Sequence, residues 1–354
     1  MAGADGFSVA TWDEALELRA GGIRAPVLVL YPVPVSAMAE AARRRVAVSA
    51  GDEALLDRLA AGAAARRLRR SLAVHLQIET GLGRDGILSE AAPGAARRIR
   101  ATRGLRLAGL WTHLQEPEDA ARTAAQLERF EAAARAIRAA GIPVPVRHVA
   151  ASGDLLHPPV SGFEIVRPGL LLYGLDLDEP PHDSHGRLLA GPRQPIHVRP
   201  ALSLHARPVR IAEVPAGWGI SYGPTFETAR PSRIATLPLG YADGWPRALS
   251  NRADALVRGR AAPIVGNVAM DAVMVDVTDV PGPPVTVDDE FVLLGRQGSS
   301  EIGSGALARA RTTISREVVT ALSRRLPRVY HAAAGSTGPV ATRTLLHEDA
   351  RAHP

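Results

Sequence analysis

Seven short apolar segments with β-strand character recur along the first half of the sequence, and helical patterns lie between most of them. These segments are 6–11, 26–31, 46–50, 72–79, 105–114, 146–152 and 164–175. The clearest helical stretch is 118–140, where Leu127, Phe130 and Ile137 lie on one apolar stripe. Strands that alternate with helices in this way predict a parallel sheet with helices packed outside it.

A (β/α)8 barrel contains eight such units, whereas this sequence supplies seven strands. The sequence opens directly at a strand, so we expect the absent unit to be the first one. The expectation that follows is a native protein longer than this chain by one unit of roughly 30 or more residues.

The composition excludes several classes of protein. The 354 residues contain no cysteine, which excludes disulfides, thiolate catalysis and cysteine-bound zinc. No histidine pair has metal-ligand spacing, and no apolar run approaches the roughly 20 residues that span a bilayer. The first residues also lack the pattern of a signal peptide. We therefore expect a cytoplasmic protein with no metal and no membrane partner.

The basic residues do not indicate nucleic-acid binding. The net charge is +6, but the arginines cluster at 43–45, 66–70 and 97–106, within alanine-rich helical patterns. No aromatic residues are interleaved with them to stack on bases, so a solvated helix face is the better interpretation. All 42 basic residues are arginine, and a chain without lysine has no side-chain amine for a Schiff base.

The second half of the sequence has a different pattern. Residues 176–200 are rich in proline, glycine and charge and predict a linker. Residues 201–295 contain alternating apolar runs typical of strands, and a helical segment at 314–326 follows. We expect the polar tail, 331–354, to be disordered.

Two tyrosines in this β-rich region stand in glycine-flanked turns. Tyr222 lies in the sequence SYG and Tyr241 in GYADG, where a tight backbone lets a side chain project from a loop. Met270 and Asp271 lie between two β-type runs. By spacing alone, an all-β module in which the tyrosines pack inside is an equally good interpretation.

The block 217–276, together with the βα pattern before it, resembles the alanine racemase family, whose members are fold-type III enzymes dependent on pyridoxal phosphate (PLP). The resemblance covers about 3–330. It implies a PLP-binding (β/α)8 barrel lacking its first unit, with its linker, in 1–200, and the family's β-rich C-terminal domain in 201–330. It also implies a homodimer with shared active sites that interconverts L- and D-alanine and so supplies D-alanine for the cell wall.

The resemblance implies roles for four residues around the substrate. Tyr222 corresponds to one of the two catalytic bases and, like Met270, reaches into the partner subunit's active site. Met270 and Tyr241 correspond to substrate-binding positions. Arg84, in the glycine-rich TGLGRDG loop after the fourth strand, corresponds to an arginine that contacts the substrate carboxylate, for which a planar guanidinium is well shaped.

Five further residues correspond to cofactor-binding positions. His113, at the end of GLWTHL, is expected beside the PLP ring and hydrogen-bonded to Arg167. Arg167 interrupts an apolar strand and therefore needs a buried partner, and the resemblance puts it opposite the pyridine nitrogen. Ser152, Gly169 and Arg316 are expected around the phosphate.

The sequence departs from the family pattern at several site positions. The Schiff-base lysine of a VKADAYGHG-type loop has no counterpart here. Gln77 stands where many members carry a carbamylated lysine, Ala151 replaces an asparagine and Arg316 replaces a tyrosine. Two alternatives therefore stay open, namely a non-catalytic relative that binds PLP or a partner, and a racemase of another small amino acid. We predict that the chain as given is inactive and holds PLP without a covalent bond.

Overall fold

The computed structural model describes residues 3–66, 68, 70–157, 163–175, 196 and 198–331, together with the backbone of 342 and 343. Two compact units divide the chain. The first comprises Met1–Gly169 and Pro180–His197, and the second comprises Leu170–Glu179 and Val198–Pro354. Among the described residues, no helix combines the length and the apolar character needed to cross a membrane. The predicted linker lies mostly outside the described residues.

The first unit is built on seven parallel strands, each paired with the next along the chain. They are β1 (Phe7–Val9), β2 (Val27–Val29), β3 (Val46–Ala50), β4 (Leu72–Gln77), β5 (Leu105–Trp111), β6 (Arg147–Ala151) and β7 (Ile165–Arg167). This nearly closed parallel barrel confirms the α/β architecture and all seven predicted strands. Strands β2 to β6 are largely buried, as expected for a parallel sheet covered on its faces.

Helices follow most of these strands. They are α1 (Trp12–Ala20), α2 (Met38–Arg44), α3 (Glu53–Arg66), α4 (Ala92–Ala101), α5 (Ala120–Ala139) and α6 (Ser152–Leu156). The predicted stripe of α5 is confirmed, because Phe130 and Ile137 are fully buried and Leu127 packs against the same core. Asp119 caps α5 by accepting a hydrogen bond from the Arg122 backbone N–H at 3.0 Å.

The last strand of the first unit is shorter than predicted. The sequence predicts one apolar strand over 164–175, but β7 ends at Arg167 and Leu170–Tyr173 forms a short 3-10 helix. Pro168 has no backbone N–H with which to continue the ladder. A turn rather than a longer strand therefore follows Arg167.

Antiparallel sheets make up most of the second unit, which confirms the predicted β-rich module. Its strands are β8 (Leu204–Ala206), β9 (Arg210–Val214), β10 (Ser232–Leu237), β11 (Asp254–Val257), β12 (Arg260–Pro263), β13 (Val273–Asp276), β14 (Phe291–Gln297) and β15 (Ser300–Ile302). One sheet has the order β13-β10-β9, and another has the order β12-β11-β14-β15 with β8 on β14. The apolar run 253–266 forms a hairpin because Arg258 and Gly259 both have positive φ, 52° and 72°.

The helices of the second unit are short. They are α7 (Ser304–Ala310) and α8 (Ser315–Thr320), whereas the sequence predicts a single helix at 314–326. Residues 328–329 pair with 342–343 in a two-stranded ladder. Of the tail that we expect to be disordered, 332–341 and 344–354 lie outside the described residues.

Candidate functional site

The glycine-rich loop after β4 carries Arg84 on the surface of the first unit. The Glu79 carboxylate accepts hydrogen bonds from the backbone N–H groups of Gly81 and Gly83 and so holds the loop in a tight curve. A Cβ at Gly86, where φ is 136°, would lie 2.4 Å from the Glu79 nitrogen, so only glycine fits there. Arg84 is thus an exposed guanidinium on a loop fixed by its own backbone.

Gln77 supports this loop from below. Its side chain is 3% exposed at the end of β4, and its Nε2 donates a hydrogen bond to the Asp85 carbonyl oxygen at 2.8 Å. Burial raises the pKa of the Asp85 carboxyl group. A neutral amide at position 77 therefore fixes the residue next to Arg84 through the backbone, without adding a charge.

A buried polar network joins the loop of Arg84 to the loop of His113. The Thr80 and Thr112 hydroxyl groups lie 2.8 Å apart, and Gln126 Nε2 on α5 donates to Thr80 Oγ1 at 3.2 Å. Gln126 Oε1 accepts from the Gln115 backbone N–H at 2.9 Å. Sequence reasoning missed this network, although a glutamine on the buried face of the amphipathic helix α5 was a usable signal.

His113 lies just beyond β5 with most of its ring covered. Burial, together with the positive charges of Arg167 and Arg84, lowers the pKa of His113 to about 4. The imidazole is therefore neutral at neutral pH. Three residues that the sequence singled out, from three different loops and strands, are thus brought into one electrostatic environment.

Arg167, at the end of β7, is held on three sides. Its Nη1 lies 2.8 Å from His148 Nδ1, and its Nη2 donates to the carbonyl oxygens of Thr112 and Val149, both at 2.9 Å. Its Cζ lies over the Trp111 ring, 5.1 Å from the ring centroid. Burial lowers the pKa of Arg167 to about 10, which leaves the guanidinium charged at neutral pH.

The prediction that Arg167 hydrogen-bonds to His113 is wrong, because the described residues contain no such bond. The imidazole that meets Arg167 is that of His148, a residue of the adjacent strand β6. The Arg167 guanidinium donates to the Thr112 carbonyl oxygen and meets a side chain of the adjacent strand, whereas His113 lies one residue beyond Thr112. His148 also meets His75 of β4, with His75 Nδ1 and His148 Nε2 2.8 Å apart.

Ser152 and Gly169 lie together at the ends of β6 and β7. The Gly169 backbone N–H donates to Ser152 Oγ at 2.8 Å, and a Cβ at Gly169 would meet no atom within 4 Å. The Ala151 N–H donates to one carboxylate oxygen of Asp154 at 2.6 Å. Burial raises the pKa of Asp154, whose other oxygen is buried without a hydrogen-bond partner in the part of the chain that the structure describes.

The barrel residues fit a non-covalent PLP site. Arg167 has five N–H donors, and its described hydrogen bonds use three, so donors are left for a ring nitrogen. The open space at Gly169, beside a buried serine, suits a phosphate end. A covalent attachment does not fit this chain, because it has no lysine.

The SYG turn of the second unit presents Tyr222 to solvent, with 78% of the residue exposed. Ser221 has φ of 68°, and its Oγ donates to the Asn267 carbonyl oxygen at 2.6 Å. Asn267 Nδ2 donates hydrogen bonds to the carbonyl oxygens of Tyr222 and Gly223, at 2.9 and 3.0 Å. These bonds tie the Tyr222 turn to the loop that contains Met270.

Tyr241 lies directly beside this Met270 loop. The Tyr241 backbone N–H donates to the Ala269 carbonyl oxygen at 3.0 Å. A Cβ at Gly240 would lie 2.2 Å from that same oxygen, so glycine permits the close approach. Tyr241 is 44% exposed and Met270 is 57% exposed. The interpretation that Tyr222 and Tyr241 pack inside an all-β module is therefore wrong.

Asp243 anchors the turn that begins at Tyr241. It is 2% exposed, accepts the Gly240 N–H at 3.0 Å, and accepts two hydrogen bonds from Arg325 at 2.8 and 2.9 Å. Arg316, the remaining candidate, is the second residue of α8, in the same unit.

We expect Asp243→Ala to lower the free energy of unfolding of the second unit by about 2 kcal/mol, because the Gly240 N–H and the Arg325 guanidinium both lose their acceptor. Urea unfolding measures the change. Asp288→Ala, at an exposed loop position, is the control and is expected to change it by less than about 0.5 kcal/mol. Equal effects of the two substitutions would contradict the anchoring role.

Comparisons with known proteins agree across both units. Residues 1–177 match the alanine racemase N-terminal domain family, and residues 201–330 match the alanine racemase C-terminal domain family. The alanine racemase of Symbiobacterium thermophilum is 42% identical over 333 residues, which cover 93% of this chain and 84% of that protein. The alanine racemase of Thermobifida fusca is 39% identical, with the same two coverages.

Solved structures give the same result. The alanine racemase of Bacillus anthracis with bound L-Ala-P superposes with a TM-score of 0.81 at 32% identity, covering 94% of this chain and 82% of that one. A histidine racemase from Leuconostoc mesenteroides is similar at 27% identity and a TM-score of 0.78, covering 91% of this chain and 82% of that one. The chain therefore belongs to the alanine racemase family of PLP-dependent isomerases.

Proposed function

We propose that this chain carries the cofactor pocket and the tyrosine base of an alanine racemase. The observation that carries the proposal is the Arg167 guanidinium, which is charged, half-buried at the carboxyl end of β7 and fixed by His148 and two backbone carbonyl groups. In parallel barrels, chemistry takes place at this end of the strands. A cation so firmly oriented suits one hydrogen-bond acceptor on a bound ring.

In this proposal PLP is held without a covalent bond. Arg167 faces the pyridine nitrogen, His113 lies beside the ring, and Ser152 and Gly169 contact the phosphate. PLP supplies an electron-withdrawing ring that makes the α-hydrogen of an amino acid acidic. Arg167 stays charged and donates a hydrogen bond without giving up its proton, so it moderates that withdrawal and favours return of the proton over transamination.

In this proposal Arg84 and the exposed residues of the second unit contact the substrate. Arg84 binds the substrate carboxylate through its planar guanidinium. Met270 and Tyr241 line the amino-acid site from adjacent loops, and hydrogen bonds through Asn267 hold Met270 and Tyr222 in one assembly. Tyr222 exchanges the proton on one face of the α-carbon. The opposite face needs a lysine, which this chain does not contain.

The exposure of these side chains supports a second subunit as their partner. Tyr222 and Met270 expose more than half of their surface, and the phenol forms no hydrogen bond with another described residue. We therefore include in the proposal a homodimer in which both reach into the partner's site, located in the cytoplasm. A cysteine-free sequence needs no oxidising compartment. Native mass spectrometry and cell fractionation test these two points.

The cofactor proposal predicts binding without covalent attachment. We expect the chain to bind PLP reversibly, and borohydride reduction followed by peptide mass mapping to find no phosphopyridoxyl group on an internal residue. D-alanine should not form from L-alanine faster than with free PLP. An internal adduct, or faster formation of D-alanine, would contradict this prediction.

Substitution of Arg167 tests the pocket itself. We expect Arg167→Gln to weaken PLP binding at least about tenfold, because a charge-assisted hydrogen bond is lost. Arg138→Gln, at an exposed position on α5, is the matched control and should leave the affinity unchanged. Thermal unfolding of each variant separates lost binding from lost folding. Absence of PLP binding by the unsubstituted chain would overturn the proposed function.

A further inference from the structure

A continuous hydrogen-bond chain runs from Arg167 into the interior of the first unit. Arg167 Nη1 lies 2.8 Å from His148 Nδ1, and His148 Nε2 lies 2.8 Å from His75 Nδ1. His148 is 1% exposed and His75 is 8% exposed, so both rings are largely shielded from solvent. The three residues come from β7, β6 and β4, which brings together positions far apart in the sequence.

Arg167, the first residue of this hydrogen-bonded series, determines which atom donates and which accepts in each of the two bonds. A guanidinium has only donors, so His148 Nδ1 must accept and the ring proton of His148 must be on Nε2. That N–H then donates to His75, whose Nδ1 must also accept. A proton added to either imidazole would remove an acceptor, so these two hydrogen bonds require both rings to be neutral.

We propose that His75 is a positioning residue for the cofactor pocket, because it accepts the Nε2–H of His148 and so fixes the tautomer with which His148 orients Arg167. The inference rests on the proposed function only in assigning Arg167 to the PLP ring. Without an acceptor at position 75, the buried Nε2–H of His148 would lose its partner, which favours the other tautomer. That tautomer would direct an N–H at the guanidinium.

The sheet makes specific room for the accepting atom. His75 pairs with Gly109 across β4 and β5, and a Cβ at Gly109 would lie 2.4 Å from His75 Nδ1. Any other residue at 109 would displace the His75 ring from its place. Glycine inside a buried strand is otherwise unfavourable, and close approach of another group is one reason for it.

Trp111 packs against the His148 and Arg167 side chains of the same hydrogen-bonded series. Its ring stacks on His148 at a centroid distance of 5.8 Å and an interplanar angle of 4°, and it also lies under the Arg167 guanidinium. Its indole N–H donates to Ser49 Oγ at 2.9 Å. Stacking fixes the plane of the His148 ring but does not select its tautomer, which leaves that task to the hydrogen bond with His75.

The test compares two substitutions of the same size and shape. In His75→Asn, the amide oxygen takes the place of the Nδ1 acceptor, whereas His75→Leu has no acceptor. Selective 15N labelling of histidine reports the His148 tautomer by NMR in the full chain without PLP, and PLP titration gives the affinity. We expect the original chain and His75→Asn to hold the Nε2–H tautomer and to bind PLP within about threefold of each other.

For His75→Leu we expect a mixture of His148 tautomers and about tenfold weaker PLP binding. An Nδ1–H tautomer of His148 in the original chain would overturn the inference, as would a Leu variant with unchanged tautomer and affinity. If His75→Leu does not fold, a changed tautomer or an affinity loss of tenfold or more in His75→Asn would also overturn it. Failure of the original chain to bind PLP at all would count against the proposed function, while the tautomer measurement would still decide this inference.

Discussion

Mixed dimers of this chain with a lysine-bearing alanine racemase subunit are expected to be active when that subunit has lost its own tyrosine base. Homodimers of either chain lack one of the two bases at every site. In the mixed dimer, one site combines the lysine of the other subunit with Tyr222 of this chain. At equal mixing half of the dimers are mixed, and we expect up to about a quarter of the activity of the unsubstituted racemase.

The physical basis is the geometry of the second unit. Tyr222 is 78% exposed at the tip of a turn that Asn267 holds from both sides. A rigid turn with an exposed side chain suits insertion into another subunit at low entropic cost. Chiral analysis of alanine after mixing and refolding measures the recovered activity, and native mass spectrometry confirms that mixed dimers are present.

Tyr222→Phe in this chain is the matched control, because it removes only the hydroxyl group. It should form mixed dimers to the same extent and recover no activity. Equal activity with and without the Tyr222 hydroxyl would contradict the role of Tyr222 as a base. Mixed dimers with no activity at all would reject the shared site.

The first unit is expected to lose stability steeply as the pH falls from about 6.5 to 4. Burial lowers the pKa of His75 to about 4, with Arg106 and Arg167 acting in the same direction, and burial beside Arg167 lowers the pKa of His148 to about 2. In the unfolded chain both imidazoles titrate near 6.5. Well above pH 6.5 both imidazoles are neutral in the folded and the unfolded chain, so these groups leave stability unchanged there.

Below pH 6.5 the unfolded chain takes up protons that the folded unit cannot accept, so the free energy of unfolding falls with falling pH. Over the window down to about pH 4, His75 alone accounts for a loss of about 3 kcal/mol. His148 acts in the same direction. The carboxyl groups of Asp85 and Asp154 have raised pKa values and oppose this slope. A comparison between variants therefore isolates the histidine contribution.

Urea unfolding at several pH values measures this slope. We expect His75→Asn to remove about 3 kcal/mol of the stability change between pH 6.5 and 4, since Asn does not titrate. His205→Asn, at an exposed position in the second unit, is the control and should leave the slope unchanged. A His75→Asn variant with the same pH dependence as the original chain would show that His75 is protonated in the folded state.

The sequence alone determined the architecture and the candidate residues of the barrel. Short apolar runs that alternate with helical stretches define a parallel α/β unit, because helices must cover the faces of such a sheet. The seven runs correspond to β1 to β7, and the stripe on α5 faces the core. Arg167 is a charged residue in the apolar run 164–175, which predicted a buried partner for it, and in the structure that partner is His148. These features depend on local periodicity or on the cost of burying a charge.

The tertiary structure decided which residues meet. Strand pairing placed His148, rather than His113, against Arg167, and the register of β4 and β5 placed Gly109 where the His75 ring needs space. Gln126 joins two loops whose sequences give no sign of contact. Whether Tyr222 and Tyr241 pack or project was also open, since turn sequences allow both. Partners across a sheet depend on register and side-chain reach, which are set by the packing of the whole unit rather than by any local stretch of sequence.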